Sequence, residues 1–209
     1  MTAPILTPRY TSNAEVLQLC GLASDDASIN STQLTNWIMD MEDYIDRVTH
    51  RNFVADSVAT DRYFDSPKME EGFVGHRVRN SMYFDECVSV EEVAVDGIIL
   101  TPIVDYVLEP YNELPVRKIT FLNGLGSFGY EKPKNIRIQA KWGYSVDAPR
   151  PIKFAAAVFA SGIVNNILPK TNAVKSEKLG DYAVTYDADL SVSFDRALDT
   201  IKEYQKIYV

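Results

Sequence analysis

Few residues in this sequence have types and spacings that could do chemistry. Gly124-Leu125-Gly126-Ser127-Phe128-Gly129 has the letters of G-x-G-x-x-G. A dinucleotide site also needs a preceding strand, a helix opening at the third glycine and an acidic residue about twenty positions on. Pro133 closes off such a helix, so the run reads as a glycine-rich β loop. His50 and His76 are the only histidines, and neither stands in a metal-ligand spacing. His50 closes an amphipathic helix, where a partly charged imidazole suits the negative helix end, and His76 reads as a loop residue. Asp85-Glu86 and Glu91-Glu92 pair carboxylates in sequence. Such pairs become acid/base machinery only through burial and geometry, so they read as solvated faces. Cys20 and Cys87 lie far apart without a CxxC, which excludes a disulfide framework and points to no metal site. No phosphate-loop or nucleophile-elbow motif occurs. The expectation is a protein without catalysis and without a cofactor.

Composition agrees with a folded, non-exported chain. With 209 residues and 46% hydrophobic content it can fill its own core. The first residues, MTAPILTPRYTS, lack a basic start and an apolar run, so no export signal is read. The longest apolar stretch, 152–168, contains Lys153, Ser161, Asn165 and Asn166 and falls short of a membrane span. A net charge of −8 argues against gripping nucleic acid by phosphate neutralisation, which needs clustered cations.

The periodicity of the apolar residues predicts an α+β fold. Ser12 and Glu15 form a capping box for a short first helix that Gly21 terminates. A second helix opens near Asn30 or Ser31 and carries Leu34, Trp37, Ile38, Met41, Tyr44, Ile45 and Val48 at steps of three and four. Its opposite face, with Asn36, Asp40, Glu42, Asp43, Asp46 and Arg47, is expected in solvent. From Phe53 to Tyr144 the period falls to two. Val88, Val90, Val93 and Val95 alternate, Asp96-Gly97 supplies a hairpin turn, and Ile136, Ile138, Ala140 and Trp142 alternate again.

Pro149 and Pro151 mark the return to helix over 152–168. That helix is apolar nearly all round and rich in short residues, so it must be covered on every side. Ala156, Phe159, Ala160 and Ile163 are the candidates for contact with a neighbouring subunit; the β module, or the body of a monomer, could equally supply the cover. A polar stretch with a hairpin-like pattern follows, and a last helix from Asp189 or Ser191 runs almost to Val209. The expected organisation is a helical domain of about four helices made from 1–52 and 150–209, with an antiparallel β module inserted over 53–149.

Three stretches together resemble the head-to-tail connector, or adaptor, proteins of long-tailed bacteriophages. The first is Tyr44-Ile45-Asp46-Arg47-Val48-Thr49-His50-Arg51-Asn52-Phe53. The second is the β module around Val93-Ala94-Val95-Asp96-Gly97, with Leu100-Thr101 and Asp105-Tyr106. The third joins Trp142-Gly143-Tyr144 and Pro151-Ile152-Lys153 to Ser176-Glu177-Lys178-Leu179-Gly180-Asp181-Tyr182-Ala183-Val184-Thr185-Tyr186-Asp187. The resemblance implies a structural subunit of the virion neck, made in the host bacterial cytoplasm. It further implies a dodecameric ring docked on the portal protein, met from below by a stopper, tail-completion or tail protein, with a central channel for double-stranded DNA. An acidic subunit suits such a channel, because each neutralised phosphate adds sticking.

On that footing Ile201, Tyr204, Ile207 and Tyr208, on the last turns of the chain, are assigned to portal docking. The alternative packs them in the subunit's own core. Lys175, Lys178, Asp181, Tyr182, Asp187 and Asp189 are assigned to the channel or a subunit seam. Two other readings remain: a carbohydrate- or peptide-binding module presenting part of the twelve tyrosines, nine phenylalanines and two tryptophans on a β surface, or a hydrolase with an unrecognised carboxylate site.

Overall fold

Short-range sequence signals set the helix ends. The computed structural model describes residues 7–66, 80–122, 132–167, 177–179, 182–184 and 188–206. Helix α1 (Asn13–Leu19) opens on the capping box: the Ser12 side chain accepts from the Glu15 N–H, and the Glu15 carboxylate accepts from the Ser12 N–H at 2.8 Å. It closes through Gly21 at φ +72°, whose N–H donates to the Gln18 carbonyl while the Leu22 N–H reaches Leu17, a Schellman pattern that occupies two orphan carbonyls. Helix α2 (Ser31–Thr49) is capped by the Asn30 side chain, which accepts from the Thr32 and Gln33 N–H groups, and ends at His50, left-handed at φ 56°. Helix α3 (Arg150–Ile167) carries Pro151 in its first turn, where no hydrogen bond is lost. Helix α4 spans Ala188–Glu203. It stops earlier than the sequence pattern suggests, because the Lys206 N–H turns to the Thr49 carbonyl, at 2.9 Å, instead of continuing the helix.

The chain divides into two compact units, Met1–Arg51 with Ala148–Val209, and Asn52–Asp147. In the first, α3 is the axis: α1, α2 and α4 all pack on it. Ala157, Ala160 and Val164 form one cluster with Val16 and Leu17 of α1 and Leu34 and Ile38 of α2. Phe159 meets Tyr44 of α2 edge-on at 6.2 Å between ring centres and Phe194 of α4 at 4.9 Å. The short alanine side chains let the neighbouring backbones approach, and the aromatic pairs fill the wider gaps. The cover that sequence left open is thus supplied by the three other helices of the same unit.

One residue of α2 reverses its expected role. Glu42 does not face solvent with Asp40 and Asp43; it is 1% exposed. Its carboxylate accepts the backbone N–H groups of Arg9 and Tyr10 at 2.7–2.9 Å and, more loosely, that of Thr11. Arg9 also pairs with Asp46 at 2.9 Å, and the Tyr10 hydroxyl donates to Asp46. Burial pushes both carboxyls above the usual range, and these donors and the Arg9 guanidinium pull against it. An unpaired buried carboxylate costs of the order of several kcal/mol. The segment before α1 is therefore tied to α2 by the groups that make Glu42 tolerable there.

The second unit is an antiparallel sheet of β1 (Thr60–Phe64), β2 (Ser81–Val95), β3 (Ile98–Ile99), β4 (Tyr106–Glu109), β5 (Val116–Phe121) and β6 (Ile136–Trp142). The order is β1-β6-β2-β5-β4, with β3 paired to the end of β2. Asp96 and Gly97, both at positive φ, make the two-residue turn between β2 and β3. Strand β6 alternates strictly, burying Ile136, Ile138, Ala140 and Trp142. Register shifts in β2 next to Cys87 and between Val90 and Glu92 let this long strand pair β5 with its first half and β6 with its second.

The two ends of this unit are sewn together. Tyr144 N–H donates to the Asn52 carbonyl, Ala55 N–H to Ser145 and Asp56 N–H to Trp142, all at 2.8–2.9 Å. Phe53 and Tyr144 meet edge-on at 5.6 Å. Trp142 is buried, with its indole N–H donated to the Thr60 carbonyl and the Arg62 guanidinium 4.4 Å above its ring. Gly143 lies between these residues at φ +146°, and a Cβ there would come within 2.5 Å of the Ala55 Cα. Only glycine fits that approach.

Two tests follow from this packing. Ala160→Glu places a charge in the α1–α2–α3 cluster and is expected to destabilise the isolated subunit by about 3 kcal/mol or more, read by thermal or urea unfolding at dilute concentration. Parent-like unfolding would contradict the placement of α3. Gly143→Ala is expected to cost about 2 kcal/mol or more; an unchanged melting temperature would contradict the close approach to Ala55.

Candidate assembly surfaces

The residues assigned from sequence to portal docking separate on the structure. Ala197 and Ile201 lie on the buried side of α4, Ile201 at 2% exposure, so Ile201 belongs to the core of its own unit. Tyr204 is half-buried just beyond the helix end. Ile207 and Tyr208 lie outside the described residues. Phe194 shares the buried side of α4 and packs on Phe159, although it is 42% exposed at its rim, and the outer side of α4 carries Asp195, Arg196 and Asp199.

The polar stretch before α4 contains two short strands, β7 (Glu177–Leu179) and β8 (Tyr182–Val184), paired antiparallel with Lys178 opposite Ala183 and Leu179 opposite Tyr182. Asp189 is in the first turn of α4. Lys175, Asp181 and Asp187 lie outside the described residues. The structure thus brings Lys178 and Tyr182 into one hairpin.

The four residues assigned to inter-subunit contact on α3 are already largely covered. Ala156 and Ala160 have no exposed surface and Phe159 is 4% exposed, whereas Ile163 is half-buried. The accessible part of α3 is elsewhere. Arg150, Lys153, Phe154 and Ala157 line one wall of a cavity of about 390 Å³, and Thr11, Glu15, Gln18 and Leu19 line the other. Leu19 and Phe154 are 47% and 40% exposed there. The Ser12 backbone N–H holds the Glu15 carboxyl below its usual range, helped by the Thr11 and Ser12 hydroxyls and by Lys153. Sequence reasoning missed this groove. Its available signal was Phe154 beside two cations in the first turns of an otherwise alanine-rich helix.

The aromatic surface proposed for the β module is modest. Phe84, Tyr106, Phe121 and Trp142 fill its core and Phe53 is buried beside Tyr144, while Tyr63, Tyr83 and Tyr111 are exposed. More apolar surface lies on Ile98, Ile99, Ile103 and Val104. His50 sits at the left-handed cap of α2, whereas His76 and the glycine run 124–129 lie outside the described residues. Burial pushes the Cys20 thiol up to about 11 and the Cys87 thiol to about 12, so neither is primed as a nucleophile at neutral pH. Among the described residues no group of His, Cys, Asp and Glu could hold a metal ion, and no helix is long and apolar enough to cross a membrane.

The sequence matches no protein-family model and no curated protein. Solved structures do match. A chain in the neck of an empty GTA particle computed with C6 symmetry aligns with 94% of this chain and 89% of its own, at a TM-score of 0.51 and 12% identity. A chain in the virion of a native gene transfer agent (GTA) particle aligns with 93% of this chain and 90% of its own, at a TM-score of 0.50 and 10% identity. At such identities the likeness is one of fold, and it extends over both units of the chain.

Proposed function

We propose that this chain is a structural subunit of a phage-type neck, a ring of twelve copies lying between the portal and a stopper or tail protein and enclosing a path for double-stranded DNA. The observation that carries this reading is the fold shared, over 94% of the chain, with a chain of the GTA neck. The resemblance of 44–53, 93–106 and 142–187 to phage connectors supports it from the sequence side, and the number twelve comes from that resemblance. The net charge of −8 suits a wall past which DNA slides rather than sticks. The cations and carboxylates on the surface serve, in this reading, in contacts between proteins and not in catalysis.

Portal docking then falls to the segment from Tyr204 through Ile207 and Tyr208, since Ile201 is engaged in its own core. The β7–β8 hairpin and the residues around it, from Lys175 to Asp189, take the channel wall or a subunit seam. Support for that assignment is the polar character of the segment and its resemblance to connectors.

Truncation after Lys202 keeps Ile201 and is expected to give a folded subunit that fails to join portal-bearing heads. Ile201→Ala is expected instead to lower subunit stability by about 2–4 kcal/mol. Binding of the truncated chain to heads at parental affinity would reject the docking role. Replacing Asp181, Asp187 and Asp189 together by lysine is expected to slow DNA exit, most visibly at low salt where screening is weak. Ejection rates equal to the parent across ionic strength would move the hairpin off the channel.

A further inference from the structure

The loop between β3 and β4 carries the most exposed large apolar side chain among the described residues, and that residue is strained. Ile103 is 81% exposed and lies at φ 71°, in the left-handed region. A β-branched residue avoids that region, because its Cβ crowds the carbonyl that follows. The loop imposes it. The Asp105 N–H donates to the Thr101 carbonyl at 2.9 Å, and the Thr101 N–H donates to the Asp105 carboxylate at 2.7 Å. The Ile103 N–H donates to the Tyr106 carbonyl at 2.7 Å, and Leu100 and Tyr106, on either side of the loop, are buried. Glycine or asparagine would hold this turn with less strain. Strain of this kind gathers where a residue serves contacts that the free fold does not need.

The residues around Ile103 select its partner. Ile98, Ile99 and Val104 are also more than half exposed, so the loop and the strand before it offer apolar side chains. From Ser81 to Val116 the chain has eight carboxylates and no Lys or Arg. DNA and anionic lipid are both held by cations, so neither matches. Asp96 and Glu109 are paired within the unit, to Lys132 and Lys118, and Asp105 is the charge nearest to Ile103 in sequence. The matching surface is apolar, with cations beside it. The α1–α3 groove of this same chain has that character: Leu19 and Phe154 are half exposed in a cavity of about 390 Å³ with Arg150 and Lys153 along one wall. Its carboxylate, Glu15, is engaged by the α1 cap and by Lys153. Among the described residues neither Arg150 nor Asp105 has an ion-pair partner within the chain.

We infer that Ile103 of one copy enters the α1–α3 groove of the next, against Leu19 and Phe154, with Asp105 facing Arg150. This contact rests on the ring reading above and specifies which surfaces meet in the ring. It joins two unlike patches, so it is heterologous, as a closed ring requires. The apolar part drives association, and the opposite charges set partner and register. The left-handed turn at 103 holds the side chain out before assembly, so little is left to order on docking.

Ile103→Gly in the full chain separates docking from folding. Glycine accepts φ 71°, so the variant is expected to melt at or above the parental temperature. Its ring assembly, on purified portal or alone, is expected to need a concentration higher by about fivefold or more, read by native mass spectrometry and electron microscopy. A second arm joins the two patches covalently. Ile103→Cys combined with Phe154→Cys, or with Leu19→Cys, is expected to give a ladder of disulfide-linked copies when assembled rings are oxidised, and no single variant should give one. Burial pushes the native Cys20 and Cys87 thiols up to about 11 and about 12, which keeps them out of this reaction at neutral pH. Parental assembly by Ile103→Gly, or rings that give no ladder with either pairing, overturns this contact while the parent's rings leave the neck reading standing. Melting of Ile103→Gly well below the parent overturns the strain at 103 and the contact built on it. A parent that forms no ring with or without portal overturns the neck reading itself, and this contact with it.

Discussion

An apolar helix without a polar face must be covered on all sides, and the helical unit is organised around meeting that demand. Helix α3 carries alanines where α1 and α2 approach and phenylalanine where α4 crosses. The short side chains set the distances, and the cover comes from segments on both sides of the β unit in sequence. The N-terminal and C-terminal parts of the chain must therefore come together before α3 is out of water. The Glu42 clamp on residues 9–11 and the hydrogen bond from Lys206 to Thr49 fasten the two flanking segments to α2, the helix that α3 leans on. Burial of α3 in this way leaves its first turns exposed, and the groove lies there.

The β unit meets a different constraint. An insertion of this length is tolerated when its ends meet, because closing a loop costs little more as the loop grows. Asn52 to Asp56 and Trp142 to Ser145 supply that closure by backbone hydrogen bonds, with Trp142 anchoring one side in the core. The Trp142-Gly143-Tyr144 motif that resembles connectors thus has a physical reason in this chain. Tryptophan fills the core, glycine lets the two segments approach, and tyrosine packs on Phe53.

What was legible in the sequence was local. The Ser12–Glu15 box, Gly21, Asn30 and Asp96-Gly97 each act within a few residues, and each appears in the structure at its place. The alternation of β6 was legible for the same reason. Glu42 was misread because its partners are more than thirty residues away, and a helical pattern alone places it with Asp40 and Asp43. The length of α4 was overestimated because its stop is a contact with Thr49, not a glycine or proline. The cover of α3 and the groove were likewise invisible, since both depend on which helices pack on which side. The site residues assigned on α3 were chosen for their apolar character, and that character is what places Ala156 and Ala160 in the subunit's own core.

The proposed neck role draws on three features: a fold shared with a GTA neck chain, a helical core that buries its own axis helix, and a net charge of −8. The most direct measurement is electron microscopy of the purified chain, alone and mixed with its portal. Closed rings with a central opening, formed alone or seated coaxially on the portal, are the predicted result. A chain that stays monomeric at high concentration and leaves portal particles undecorated would contradict the account.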